Sequence, residues 1–210
     1  MSDTGTISRR REATRQKLLD AAAEVFAEVG MDAASVETIC DAAGFTRGAF
    51  YSNFASKEEL FFALVGLVAD RRVRGVREGV AALEAEGRLD VTPGNAVDIV
   101  NHVLGLAPDD RFGVLLFNEI RIHALRDPDL AEAYLEQEAA TCASVARLLD
   151  DVATQSGVSF RLTTREVARI LVTSWESVAV RGVMAGLGAE ELGRHIGDEL
   201  GSIAAALLVS

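Results

Sequence analysis

Most of what would commit a chain to another class of protein is scarce or missing here. Among 210 residues there are two cysteines, Cys40 and Cys142. They are too few and too far apart for a disulfide framework, and no cluster of metal-ligand spacing accompanies them, so no metal is expected. Proline occurs three times, and the dominance of Ala, Leu, Val and Glu without period-two alternation predicts an all-α protein. No apolar run approaches the roughly 20 residues of a membrane span. Arg9-Arg10-Arg11 is not followed by an apolar segment, so the beginning of the chain does not read as a secretion signal. A soluble protein of a reducing cytoplasm is the expectation, with no membrane partner. The 18 glycines never fall as GxGxxG or as a phosphate loop. No Ser/His/Asp set and no carboxylate pair with an electrophile partner stands out. Neither an enzyme nor a cofactor is expected.

What the chain has in excess is acid, with a formal net charge of −11. That charge is unevenly spread. Residues 1–57 hold seven Lys/Arg against eight Asp/Glu, a balance of −1, whereas residues 58–210 hold 14 against 24, a balance of −10. The early basic residues are clustered as Arg9, Arg10, Arg11, Arg15 and Lys17, with Arg47 and Lys57 at later helix starts. Affinity for a polyanion follows a local basic face rather than global charge. The first part can therefore meet nucleic acid while the acidic remainder suppresses nonspecific binding.

Residues 35–57, SVETICDAAGFTRGAFYSNFASK, carry the densest local signals. Ser35 can cap a short helix whose apolar residues Val36, Ile39, Cys40 and Ala43 fall at helical spacing. Gly44 suits the left-handed turn that ends it. Thr46 caps a second short helix, Arg47 to about Asn53, anchored by Phe50 and Phe54 four residues apart. Its other faces carry Arg47, Gly48, Ala49, Tyr51, Ser52 and Asn53, donors and residues small enough for close approach. Two short helices joined by a glycine turn make a helix-turn-helix, whose second helix enters the major groove. Ser56-Lys57-Glu58-Glu59 then reads as a capping box that places Lys57 in a helix's first turn, where a phosphate binds well.

Over roughly residues 12–72 the chain resembles, without a gap, the N-terminal domain of the TetR family of bacterial transcriptional regulators. The resemblance rests on TRQKLLDAAAEVFAEVG and on SVETICDAAGFTRGAFYSNFASKEEL. The family's aromatic-rich "LYxHF"-like run stands here as Phe50-Tyr51-Ser52-Asn53-Phe54, followed after one residue by Ser56-Lys57-Glu58. Asn53 sits where the family often has His or Tyr, and Ser52 where it often has a larger group. Beyond residue 72 only the general layout is shared, with ALRDPDL (124–130) as a helix-to-helix corner. The resemblance and the helical positions together imply that Arg47, Gly48 and Ala49 face bases and that Tyr51 and Lys57 face phosphates. Ser35, Thr46, Ser52 and Asn53 would meet one or the other.

The expected organisation is a disordered basic arm over 1–11, a helix-turn-helix domain over 12–57 and a ligand-binding and dimerisation domain over 58–210, about nine helices in all. The first helix is expected over 12–29, its core face Leu18, Leu19, Ala22, Val25, Phe26 and Val29, stopped by Gly30. A long helix from 57 to 86 joins the domains, and Gly66, Gly75 and Gly79, each costing about 1 kcal/mol against alanine, allow it to bend. Later helices are expected at 93–106, with Pro93 at its start, 110–126, 128–156 behind an Asp127 cap, 163–186 behind a Thr163–Glu166 capping box, and 189–208.

The segment 110–126 has apolar residues around its whole circumference, as in a helix buried on several sides. Glu119 and His123 fall within the arc of Phe112, Leu115 and Leu116, and polar groups there need partners. Either they line a ligand cavity with Phe112, Leu116 and Trp175, or they form a structural pair. The cavity reading, with Glu119 in it, slightly favours a cationic or hydrogen-bond-donating ligand over a lipophilic one. Trp175 can equally be core. In the last helix Gly193, Gly197 and Gly201 repeat every four residues beside a Leu192, Ile196, Leu200 stripe. Small residues in register allow helices to approach closely, within one subunit or between two. The family uses its last two helices for a dimer, which implies an interface containing Gly182, Ile196, Gly197, Leu200 and Gly201.

Together these readings predict a transcriptional regulator. It binds a palindromic double-stranded operator as a homodimer, most simply as a repressor, and is released by an unidentified small-molecule inducer. The alternatives are a DNA-binding regulator without a ligand, and a helical small-molecule-binding or enzymatic domain with a coincidental helix-turn-helix.

Overall fold

The computed structural model describes residues 4–105 and 111–209. Among these residues there are nine α-helices and no strand: α1 Thr4–Ala33, α2 Val36–Ala43, α3 Arg47–Tyr51, α4 Lys57–Ala85, α5 Ala96–Gly105, α6 Arg111–Ala124, α7 Pro128–Ser156, α8 Thr164–Met184 and α9 Ala189–Leu207. The ends expected at 106 and 110 lie outside the described residues. Helix α1 is already formed at Thr4, so from there on the stretch expected as a disordered arm is helical. Pro93 does not open α5. It lies in a preceding turn, closed by Asn95, whose Oδ1 accepts from Thr92 N–H at 2.8 Å. The capping residues at α7 and α8 act as expected: Asp127 Oδ1 accepts from Asp129 N–H at 3.0 Å, and Thr163 and Glu166 cap α8 reciprocally.

The chain forms two compact units, and their boundary is not the one the sequence suggested. One unit comprises the residues up to Leu67 together with Leu116–Ala133; the other comprises Val68–Leu115 and the chain from Tyr134 on. Helix α4 begins in the first and ends in the second, whereas most of α6 belongs with the N-terminal helices.

The first unit packs α1 against α2, with Leu18, Leu19, Ala22, Val25 and Phe26 of α1 buried. Phe26 and Phe61 meet edge to face with ring centroids 5.2 Å apart. Val29, expected in this core, is 51% exposed. At Gly30 the backbone leaves the helix (φ 77°, ψ 169°) before one more turn forms. Met31, just after that departure, is buried instead.

The second unit is built on α8 and α9. Val114, Trp175, Val178, Ala179, Leu192, Ile196 and Leu200 form its buried cluster. Helix α5 lies directly on α9 because Gly197 and Gly201 have no side chain: a Cβ on Gly201 would stand 2.5 Å from Val97 Cα, and one on Gly197 would collide with the Asn101 side chain. Gly79 of α4 works in the same way, with Val103 Cα 3.0 Å from where its Cβ would be. This glycine, expected to loosen its helix, serves close packing. The chain ends against the α7–α8 loop through an antiparallel bridge between Phe160 and Leu208.

Candidate nucleic-acid interface

Local chemistry builds the helix-turn-helix. Ser35 caps α2 by accepting from Thr38 N–H at 3.0 Å, and Gly44 ends it in the left-handed conformation (φ 69°, ψ 32°). Thr46 caps α3 by accepting from Ala49 N–H at 3.2 Å. Phe50 and Phe54 are both buried, their centroids 5.8 Å apart, and fix one face of α3 to the core. That leaves Arg47, Gly48 and Tyr51 outward, with Ala49 half-buried. Arg47 makes no hydrogen bond or ion pair among the described residues. Tyr51 is 51% exposed, its ring edge-on to Phe50. Arg10, Arg11, Lys17 and Arg47 are all exposed on this unit. The thiol of Cys40, behind α3, has its pKa raised, first by burial and then by Asp41, which keeps it a neutral packing group.

Three expected contacts take different places. Asn53 is only 8% exposed, and its amide nitrogen donates to Ala49 O (2.8 Å) and to Ser52 Oγ (3.3 Å). It ends α3 from within and does not face outward, because the helix stops at Tyr51 and the chain turns inward toward Phe54. Ser52 is exposed, but its hydroxyl donates back to Ala49 O at 2.8 Å. Lys57 is half-buried: Nζ donates to the carbonyls of Met31 and Ala34, each at 2.9 Å. Two of its three ammonium protons therefore close the end of α1. The Ser56 cap is present, with Glu59 N–H donating to Ser56 Oγ at 3.2 Å, but Glu59 reaches back to Ala55 N–H instead of the cap residue's own.

Sequence reasoning placed Arg11 and Arg15 in the basic cluster but missed their partners. Arg11 Nη2 donates to Ser52 O at 3.2 Å and Arg15 Nη1 to Asn53 O at 3.1 Å, while the Arg15 guanidinium lies 4.2 Å from the Phe54 ring centroid. The signal was their four-residue spacing, which places both on one face of α1.

The residues expected around a ligand are distributed between the units. Glu119 of α6 accepts from Met31 N–H through both oxygens, at 3.0 and 3.2 Å. His123 Nε2 stands 3.3 Å from Asp32 Oδ1. Each thus pairs with the end of α1, not with the other. Leu116 is buried in that same unit and Phe112 is half-buried. Trp175 lies in the core cluster of the second unit, with the Arg72 guanidinium 3.6 Å from its ring centroid. Nor is α6 buried all round, since Leu115 and Ile122 are exposed.

The expected dimer residues also need correction. Gly182, Ile196, Gly197, Leu200 and Gly201 are all buried within the subunit. A Cβ on Gly182 would strike Leu192, and the α9 glycines face α5. The ridge therefore serves one chain's own packing.

Comparison with known proteins agrees with this geometry. The family described as "Bacterial regulatory proteins, tetR family" matches residues 18–64. The HTH-type transcriptional regulator UidR of Escherichia coli K12 is 26% identical over 182 residues, 87% of this chain and 85% of that protein. The HTH-type transcriptional repressor Rv1474c of Mycobacterium tuberculosis is 31% identical over 132 residues, 63% of this chain and 62% of that one. A putative TetR-family regulator from Mesorhizobium loti MAFF303099 has a similar fold, with TM-score 0.71 at 21% identity over 95% of this chain and 99% of that one. Among the described residues no helix is long and apolar enough to cross a membrane. A helix-turn-helix capped at Ser35 and Thr46, a family match over it, and likeness along nearly the whole chain lead to one conclusion: this protein belongs to the TetR family and is a transcriptional regulator.

Proposed function

We propose that the chain is a ligand-controlled repressor that binds a near-palindromic operator as a homodimer in the cytoplasm. The observation that carries the DNA half is the outward set on α3: an unengaged Arg47 beside Gly48, half-buried Ala49 and exposed Tyr51, on a helix fixed from behind by Phe50. A guanidinium there can grip guanine O6 and N7, with small neighbours admitting the groove floor. The exposure of Ser35 and Thr46 at helix starts supports a role for them at phosphates. The repressor polarity is supported by the relative named as a repressor.

For the dimer, the glycine ridge no longer supports the reading. The exposed faces of α8 and α9, including Ser177, Arg181 and Met184, are the surface offered instead. Two reading helices would then meet successive major grooves about 34–36 Å apart. Ligand control is supported by α6, which Glu119 and His123 tie to the end of α1. A ligand need only prefer the state in which that tie is rearranged, and a coupling of about 1–3 kcal/mol changes operator affinity some 5–150-fold. With its carboxylate engaged by a backbone amide, Glu119 no longer argues for a cationic ligand.

Selection of duplexes from a random pool tests the reading. The expected product is a two-fold symmetric site, with Arg47→Ala losing about 1–3 kcal/mol at one base pair of each half. An asymmetric or unselected pool, or equal loss at every position, would overturn it.

A further inference from the structure

Helix α3 has only five residues, far below the length at which a helix holds itself in water. Its N-terminus is capped by Thr46, but its C-terminal end exposes carbonyls that later residues of the helix cannot reach. Following residues take those of Gly48, Ala49 and Phe50, and in the turn that comes next, at Ser52 and Asn53, two guanidiniums from α1 supply the donors. Arg11 binds the carbonyl of Ser52 and Arg15 that of Asn53, while the Arg15 guanidinium also stands over Phe54, the buried ring that anchors the same turn. Positive charge at this end also opposes the helix dipole favourably. Ala49 O, one turn earlier, is taken by the Ser52 hydroxyl and the Asn53 amide. The close of the reading helix is thus a small polar assembly whose outer members come from 38 and 41 residues away in sequence.

We propose that Arg11 and Arg15 are positioning residues for DNA recognition: they clamp the C-terminal end of α3 and set the angle at which Arg47 is presented, and they are not phosphate ligands. This rests on the reading of α3 as the element that enters the groove. Arginine suits the task where lysine does not, because the planar group can donate to a carbonyl and cover a ring at once.

The two roles differ in salt dependence. A phosphate ligand contributes about 0.9 to the slope of log affinity against log salt. A clamp contributes to affinity and leaves that slope intact. The experiment uses the full chain with Arg11→Gln, Arg15→Gln, the double variant and Arg15→Lys. Each is titrated with a duplex that the wild-type chain selects from a random pool, from about 50 to about 200 mM salt. Backbone amide exchange of residues 48–54 is measured in parallel without DNA. The clamp predicts that Arg15→Gln weakens the selected duplex about tenfold, the value of one charge-assisted hydrogen bond, at unchanged slope. It also predicts faster exchange over 48–54 but not over α2. Arg15→Lys, which keeps the charge, should resemble Arg15→Gln. The proposal is overturned if the slope falls by about 0.9 per arginine with exchange unaltered, or if Arg15→Lys behaves as wild type. Should the wild-type chain select no duplex, the reading of α3 fails, and the exchange measurement still decides whether the clamp exists.

Discussion

Two of the places where the molecule depends on glycine hold their helices by opposite physics. At Gly197 and Gly201 the backbone of α9 rests directly on α5, with Val97 Cα where a side chain would begin. Nothing short of parting the helices changes that contact, since close-packed interiors deform poorly. At Gly30 the chain leaves α1, and the surrounding elements are tied by exchangeable bonds. Glu119 holds Met31 N–H, Lys57 holds the carbonyls of Met31 and Ala34, and His123 faces Asp32. Each of these can be traded for water at a net cost of about 1–3 kcal/mol or less. Within its own unit, the α5–α9 contact is therefore a fixed body. The Gly30 node is held by bonds weak enough to permit two arrangements that differ by a few kcal/mol, which is what the proposed ligand control requires.

The largest effect should come from attacking the fixed contact. Gly201→Ala forces a methyl into the Val97 backbone and should cost about 1–3 kcal/mol or more, read as a lowered denaturant midpoint. Gly193→Ala, at a helical glycine with nothing within 4 Å of its Cβ position, should instead stabilise by roughly 0.5–1 kcal/mol. Equal effects at the two positions would remove the distinction between ridge and surface.

Next comes the node. Gly30 has φ 77° and ψ 169°, a region essentially reserved for glycine, whereas Gly44 at φ 69° and ψ 32° is ordinary left-handed helix. Gly30→Asn should cost roughly 1–3 kcal/mol, increased because a Cβ would lie 3.0 Å from Glu119 Oε1. Gly44→Asn should be tolerated within about 1 kcal/mol. Combining Gly30→Ala with Glu119→Ala should recover the steric part and leave the conformational part, which a double-mutant cycle in thermal unfolding separates.

A smaller effect follows from Glu119→Gln. The amide oxygen still accepts from Met31 N–H but without charge, a loss of about 1 kcal/mol. Exchange of the Met31 amide should quicken while α8 and α9 stay unchanged. If Met31 exchanges as before, α6 is not tied through that carboxylate.

The comparison also explains what could be read from the chain alone. Ser35, Thr46, Asp127 and Thr163 act on amides two or three residues away, so the residues carrying the chemistry stand next to each other in sequence. Their roles and the helix starts they mark were legible. Glu119 and Met31 are 88 residues apart, and Lys57 and Met31 26 apart. A polar side chain in an apolar arc announces that it needs a partner, but it does not say which. The α9 glycine ridge announced close approach in the same way, and its partner proved to be α5 of the same chain. Asn53 was misplaced for a third reason: projecting α3 beyond Tyr51 kept it on a helical face that the chain had already left.

The smallest effect belongs to a purely local device, the capping box of α8, where the comparison can be checked against pH. Glu166 accepts from Thr163 N–H at 2.9 Å and from Thr163 Oγ1 at 2.7 Å. These hydrogen bonds, the hydroxyl's first and the amide's second, hold its pKa below the ordinary carboxylate value. A carboxyl group whose pKa is lower in the folded chain stabilises the fold fully above its unfolded pKa. That contribution is lost as the pH falls through the folded pKa. The α8 cap should therefore be intact at neutral pH and loosen below the usual carboxylate range. Being solvent-exposed, it should do so as fraying of the first turn and not as unfolding. Exchange of the Glu166 and Val167 amides, corrected for the intrinsic pH dependence, should rise at acid pH in the wild-type chain. In Glu166→Gln, which keeps an acceptor but cannot titrate, the corrected exchange should be flat with pH. The Gly30 node, whose bonds join distant segments, should answer to Glu119→Gln and not to this change. If Glu166→Gln also releases the Met31 amide, local and long-range ties are not separable in this molecule.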